Sequence, residues 1–253
     1  MGLKPVAERE WLADAIDAPT QREKLRLLSD PNANVLAETD GSRPAQQSLL
    51  ALIEERHGPA PAARAPLASA SLLVPDDLCL MRRDGARYRL AAACVCAPSY
   101  WKLATKIGQT LDVIHSPVPG LSAKLDALMA RFFEQLPEAR VFERRNWLIH
   151  TDDRRYHPAP EPWDAVPRPI TPAMLFVRSE RQTLRRLDAD NVVFTIRVTC
   201  EPLAGIAAHP DAARDLLDTI ATLDADEHQA MNVRHWAQAA VPFLERITKE
   251  RVA

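Results

Sequence analysis

Glycine is scarce in this chain: 7 residues in 253, against 21 prolines. Phosphate-cradling loops need glycine where backbone N–H groups close on the ligand, and neither G-x-G-x-x-G nor G-x-x-x-x-G-K-S/T occurs. No apolar run reaches the length of a membrane-spanning helix, so none is expected. The opening "MGLKPVAEREW" lacks an apolar h-region, so no signal peptide is expected, and Val6 breaks a myristoylation pattern. Charge is nearly balanced, 32 basic against 34 acidic groups for a net −2, which argues against a nucleic-acid partner. The 4 cysteines form no C-x-x-C. Cys94 and Cys96 share one face of "LAAACVCAP" and read as buried thiols of a reducing cytoplasm, not as disulfide or iron–sulfur ligands. Neither H-E-x-x-H nor G-x-S-x-G is present, and His150, His157, His209, His228 and His235 read as surface or packing residues.

What is present is enough apolar content, 47%, for a real core. Residues 5–57 carry helical periodicity, with Thr20 as a cap candidate and Gly58 as a stop, and 59–66 form a proline-rich spacer. Strand patterns follow in "ASLLV", "DLCLMRRD" and "ARYRLAAACVCAP", with a turn at "RDGAR". "SYWKLATKIG" and "LSAKLDALMARFFEQL" read as a helical crossing, and "ARVFERRNWLIH" as a strand. "AMLFVRSERQTLRRL" and "NVVFTIRVT" read as a hairpin across "DADN". The tail is helical, with Asp211 and Asp224 as cap candidates. The expected fold is α+β: a PAS-like antiparallel sheet of five or six strands with helices on one face. The expected division is a helical segment with spacer at 1–66, a core at 67–201 and a helical segment at 202–253.

Three stretches carry candidate chemistry. In "LDVIHSPVPG" (111–120) His115 precedes two prolines. These stiffen the chain and push Ser116 and Val118 toward extended conformations. A stiffly held imidazole suits a ligand or a catalytic group, but on this stretch alone a plain tight corner comes first. In "RSERQTLRR" (178–186), extended geometry puts Arg178, Glu180 and Gln182 on one face. Ser179, Arg181 and Thr183 take the other, in line with Leu175 and Val177. The first row is either a solvated face with cross-strand ion pairs or a binding row. Arg181, beside apolar residues, needs an anion or a hydrogen-bonded partner, and a bound carboxylate or phosphate would serve. In "RRNW" (144–147), Arg145 and Trp147 share one face and Arg144 and Asn146 the other. The arginine and tryptophan read as surface cation–π packing or as the wall of a pocket for a flat anionic cofactor.

Together "DDLCLMRR…YRLAAACVCAPSYWKLATKIGQTLDVIHSPVPG", "RRNWLIH" and "RSERQTLRRL…VVFTIRVT", with "MGLKPV…W" near the start, resemble the haem-dependent oxidative N-demethylase family. The likeness runs from residue 1 to about 200, and "IHSPVPG" and "RSERQTLRRL" are its most specific parts. That family's N-terminus usually begins further upstream, and the last 50 residues or so match no motif of it. The resemblance implies a PAS domain carrying haem b in the 67–201 core. It implies reductive activation of O2 and oxidation of a small, dimethylamine-like secondary amine, releasing formaldehyde. Electrons would come from separate flavin and iron–sulfur reductase subunits. It implies His115 as axial metal ligand, and cofactor-binding roles for Arg145, Asn146, Trp147, Arg178, Arg181 and Thr183, with Arg145 and Arg181 pairing propionates. Glu180 and Gln182 would serve catalysis on the distal side, where a carboxylate holds an ammonium. Which face of the 178–183 strand meets the haem stays open. A haem-PAS gas or redox sensor without catalysis, and a scaffold that has lost haem, are the alternatives.

Overall fold

The computed structural model describes the backbone of residues 2–115 and 123–250, and their side chains except at 115, 123–128 and 250. In chain order the elements are β1 (Lys4–Val6), α1 (Ala18–Ser29), β2 (Leu36–Glu38), α2 (Arg43–His57), α3 (Pro66–Ser71), β3 (Asp77–Asp84) and β4 (Arg87–Cys94). There follow α4 (Leu111–His115), α5 (Ala123–Glu134), β5 (Val141–His150), β6 (Phe176–Arg186), β7 (Asn191–Pro202), α6 (Pro210–Thr222), α7 (Ala225–Ala230) and α8 (Val233–Glu250). Among the described residues no helix is long and apolar enough to cross a membrane.

The strands form one antiparallel sheet of seven, ordered β1-β5-β6-β7-β3-β4-β2, rather than the five or six expected. The extra strands come from the segment expected to be wholly helical. β1 and β2 are three residues each and sit at the two edges. Three residues are too few to show a period-two pattern, so only their pairing with β5 and β4 defines them.

The chain divides into two compact units: residues 1–146, 156–159 and 180–198, and residues 147–155, 160–179 and 199–253. In the first unit helices cover both faces of the sheet, not one. On one face Leu78, Leu80, Ala92, Cys94 and Val193 meet Leu27 of α1, Leu49 and Ile53 of α2, and Leu67 and Ala70 of α3. On the other, Cys79, Met81, Tyr88, Leu90, Ala93, Leu184 and Val192 meet Ala130 and Phe133 of α5. Strict alternation fails only within β4, where Tyr88 and Leu90 share a face with Ala93. A bulge explains this: Leu80 opposes Ala92 but Met81 opposes Leu90, so Ala91 is the extra residue. Thr39 satisfies the Ala91 carbonyl with its N–H (2.7 Å) and its hydroxyl (3.0 Å). The β3–β4 turn places Gly85 at φ 63°, where a side chain would be strained.

In the second unit, Ile149, Trp163, Val166 and Leu175 pack with Leu216 and Ile220 of α6 and with Val233, Trp236, Ala240, Leu244 and Ile247 of α8. Those α8 positions form one stripe at helical spacing. Asp224 caps α7 as expected: it accepts from the Glu227 N–H at 2.8 Å while Glu227 accepts from the Asp224 N–H at 3.0 Å.

Several local expectations change. "ASLLV" is the end of α3 and a buried turn, because Pro66 in the first turn and the small residues after it suit a buried helix. "SYWKLATKIG" holds a single 3-10 turn, Leu103–Thr105, between Tyr100 at φ 66° and Gly108 at φ 74°. The cap of α1 is Asp17, which accepts from the Thr20 N–H at 2.7 Å. Asp211 lies inside the first turn of α6, where a carboxylate still favours the helix dipole.

Candidate functional site

Arg178, Glu180 and Gln182 are 0%, 6% and 6% exposed, so this row of β6 is not a solvated face. Within the first unit Gln182 is the middle of a hydrogen-bonded row on the α5 side of the sheet. Arg144 Nε donates to Gln182 Oε1 at 2.6 Å, and Gln182 Nε2 donates to Glu180 Oε2 at 2.8 Å. The Ser99 hydroxyl donates to Glu180 Oε1 at 2.5 Å. Pairing of β5 beside β6 brings Arg144 in from the solvent edge, and the irregular chain after β4 brings Ser99.

Leu184, next along the same face of β6, belongs to the apolar core on this side. Phe142 and Phe194 from the strands, and Ile114, Met129 and Phe132 from α4 and α5, pack on this core while only partly covered. Phe132 meets Phe142 edge-to-face at 5.4 Å. Ile114 brings the end of α4 to this face, and His115 is its last residue. The His115 side chain and the two prolines after it lie outside the described residues. Pro98 and Trp101, close to Ser99 in the chain, line a cleft of about 310 Å³ together with Lys102 and Tyr156.

The opposite face of β6 is organised differently. Arg181 Nε donates to Glu143 Oε2 at 2.5 Å and its Nη2 to the Glu10 carbonyl at 3.1 Å, while Arg145 Nε reaches Glu143 Oε1 at 3.1 Å. Burial acts to raise the Glu143 pKa, but the two guanidinium groups outweigh it and hold the carboxyl below its ordinary range. The anion that Arg181 needs is therefore supplied by the chain itself. Thr183, fully buried, shares a 2.6 Å hydroxyl contact with Thr195 on this side. Asn146 is half-buried and two residues beyond Arg144, hence on the α5 side.

Two of the expected cofactor-binding residues belong to the second unit. Arg178 Nη1 donates to the Arg155 carbonyl at 2.9 Å, and Trp147 packs edge-on with Trp236 at 6.1 Å. His150 is buried there, with Nδ1 3.9 Å from Glu161 Oε2. Glu161 also accepts from the Thr151 N–H at 3.2 Å and from its hydroxyl. His235 stacks on Trp163 with ring centres 5.4 Å apart.

The sequence does not single out Ser99, and it gives Arg144 only as the neighbour of Asn146. Both acquire meaning from tertiary placement that no local pattern specifies.

A family model described as "haem-dependent oxidative N-demethylase, alpha subunit-like" matches residues 38–241. The chain belongs to this family. A search of curated proteins gave no match. Membership of the N-demethylase family brings a haem requirement, and the α5 face can be judged against it. Haem asks for aromatic and aliphatic walls, a side-chain ligand and few, well-placed polar groups. Phe132, Phe142, Phe194, Ile114 and Met129 provide incompletely covered walls, and the Glu180 row provides the polar groups. In chemical type these described residues suit the group.

Proposed function

We propose that the chain is the haem-carrying catalytic subunit of an oxidative N-demethylase acting on a small secondary amine such as dimethylamine. The observation that carries the proposal is Glu180, a buried carboxylate that accepts from Ser99 and Gln182 in the β6 row that Leu184 joins to the α5 core. A PAS-type arrangement is supported by the central strand order β4-β3-β7-β6-β5, with α4 and α5 in the crossing from β4 to β5.

In this reading His115, at the end of α4, would hold the haem iron, and Phe142, Phe194, Ile114, Met129 and Phe132 would supply the apolar surface against the group. Asn146 completes the rim. When bound, haem supplies the reductive activation of O2. The overall change balances as amine, O2, two electrons and two protons giving the demethylated amine, formaldehyde and water. The electrons come from a separate reductase carrying flavin and an iron–sulfur centre. Glu180 receives the substrate as its ammonium. A buried cation without an anion is costly, so the carboxylate decides whether the amine enters. Ser99 and Gln182 each donate to one oxygen of Glu180 and so hold the carboxylate in place. The aromatic walls exclude water.

The test is formaldehyde release from dimethylamine by the haem-loaded chain, driven by NADPH through a flavin and iron–sulfur reductase. Release that depends on O2, haem and amine together is expected. A haem-loaded, reducible protein that releases none would contradict the proposal.

A further inference from the structure

We infer that Lys106 is a positioning residue for haem ligation: its ammonium holds the peptide group that leads into His115, and so fixes the backbone from which that imidazole is presented. This rests on the reading of His115 given above. With five residues, Leu111–His115, α4 is too short to be stable on its own. The last carbonyls of a helix also lack partners inside it. Here Lys106 Nζ donates to the Ile114 carbonyl at 2.6 Å. That carbonyl and the His115 N–H belong to one planar peptide unit, so a hold on its oxygen also restrains the start of His115. A cation at this end suits the helix dipole.

Lys106 stands on firm ground. Its N–H donates to the Leu103 carbonyl at 2.9 Å, and its carbonyl accepts from the Gln109 N–H at 3.0 Å. This turn is tied to β4, since the Gly108 N–H donates to the Leu90 carbonyl at 2.8 Å and the Leu90 N–H to the Gln109 carbonyl at 3.0 Å. Thr110 bridges Arg89 of β4, and the Ile114 N–H donates back to the Thr110 carbonyl at 2.9 Å. Both ends of α4 are therefore referred to the sheet, the first through Thr110 and the last through Lys106. Lys106 is half-buried, and burial pushes its pKa down. Among the described residues its ammonium pairs with no carboxylate, and the Ile114 carbonyl is its one acceptor.

The experiment compares the haem-loaded full chain as wild type, Lys106→Met, Lys106→Arg and His115→Ala. Resonance Raman spectroscopy of the reduced proteins reads the iron–histidine stretching band, which reports how an axial imidazole is held. Haem transfer to an excess of acceptor protein gives the rate of loss. Lys106→Met is expected to shift or broaden the band and to lose haem about tenfold faster, the worth of one charge-assisted hydrogen bond. Lys106→Arg keeps a charged donor for the carbonyl and recovers the band and most of the retention. His115→Ala loses the band.

A wild-type band in Lys106→Met overturns the inference, even where urea unfolding shows the haem-free variant to be less stable, because a merely structural lysine gives that pattern. Should Lys106→Met fail to fold by circular dichroism, Lys106→Gln carries the test. Its side chain is neutral and one bond shorter, so a shifted band supports the inference and a wild-type band with wild-type haem loss overturns it. A band that persists in His115→Ala, or is absent from wild type, overturns the reading of His115 and this inference with it. A band lost in His115→Ala beside an unaffected Lys106→Met overturns this inference alone.

Discussion

Two buried glutamates on neighbouring strands, Glu143 and Glu180, face opposite sides of the sheet. Glu143 has guanidinium partners on both oxygens, and Glu180 accepts from the Gln182 amide and the Ser99 hydroxyl. The first is committed to structure. Arg181→Ala leaves Glu143 with only the largely exposed Arg145, and is expected to cost ~3 kcal/mol in urea unfolding with haem content unchanged. Lowered haem retention at unchanged stability would instead make Arg181 a propionate partner. Because the folded-state pKa of Glu143 is depressed, its contribution is fully present above the unfolded carboxyl value of about 4.3. It is lost as pH falls through the folded value. Melting temperatures between pH 3 and 7 should therefore fall less steeply on the acid side in Glu143→Gln than in wild type. Equal slopes would remove Glu143 from that role. The need of Arg181 for an anion was legible from its place in an apolar row. The identity of the anion was not, because Glu143 lies 38 residues away and the β5–β6 register joins them.

At the scale of elements, what was legible followed from long periodic runs. The hairpin across "DADN" became β6 and β7, α2 ends at Gly58 with φ 84°, and the tail is helical. Short or irregular pieces were not legible. β1 and β2 depend on their partners, and the bulge at Ala91 depends on the pairing of β3 with β4. One element bears directly on the candidate site. Arg186 of β6 clamps the C-terminal end of α5: its Nε donates to the Leu136 carbonyl at 2.7 Å and its Nη2 to the carbonyls of Phe133 and, at 3.1 Å, Glu134. Helix ends leave such carbonyls without intrahelical partners, and a cation there also suits the dipole. Arg186→Met is expected to destabilise the fold by roughly 2–4 kcal/mol, since several buried acceptors lose their donor together. Because α5 covers the proposed haem face, haem should also leave faster to an excess of acceptor protein. Stability and haem loss both equal to wild type would contradict the role of the clamp.

At the scale of the whole molecule, family membership and the α5 face point to the same chemistry from different directions. The motifs around "IHSPVPG" and "RSERQTLRRL" were enough to suggest the family, and the match over residues 38–241 establishes it. The side of β6 suited to the haem was not legible, because alternation alone sorts residues into two rows without saying what covers each. Our proposal takes the α5 side, the face on which Glu180 and Gln182 are buried. His115→Ala is expected to lose stoichiometric haem or shift the Soret band while circular dichroism is kept, and an unchanged spectrum would remove His115 as ligand. The most direct test of the central claim compares wild type with Glu180→Gln, both haem-loaded, in a Soret titration with dimethylammonium. The predicted result is the same free-protein spectrum in both, a saturable shift in wild type, and a need for at least about tenfold more amine in the variant. Equal affinity in the two proteins, or no response to the amine in wild type, would contradict it.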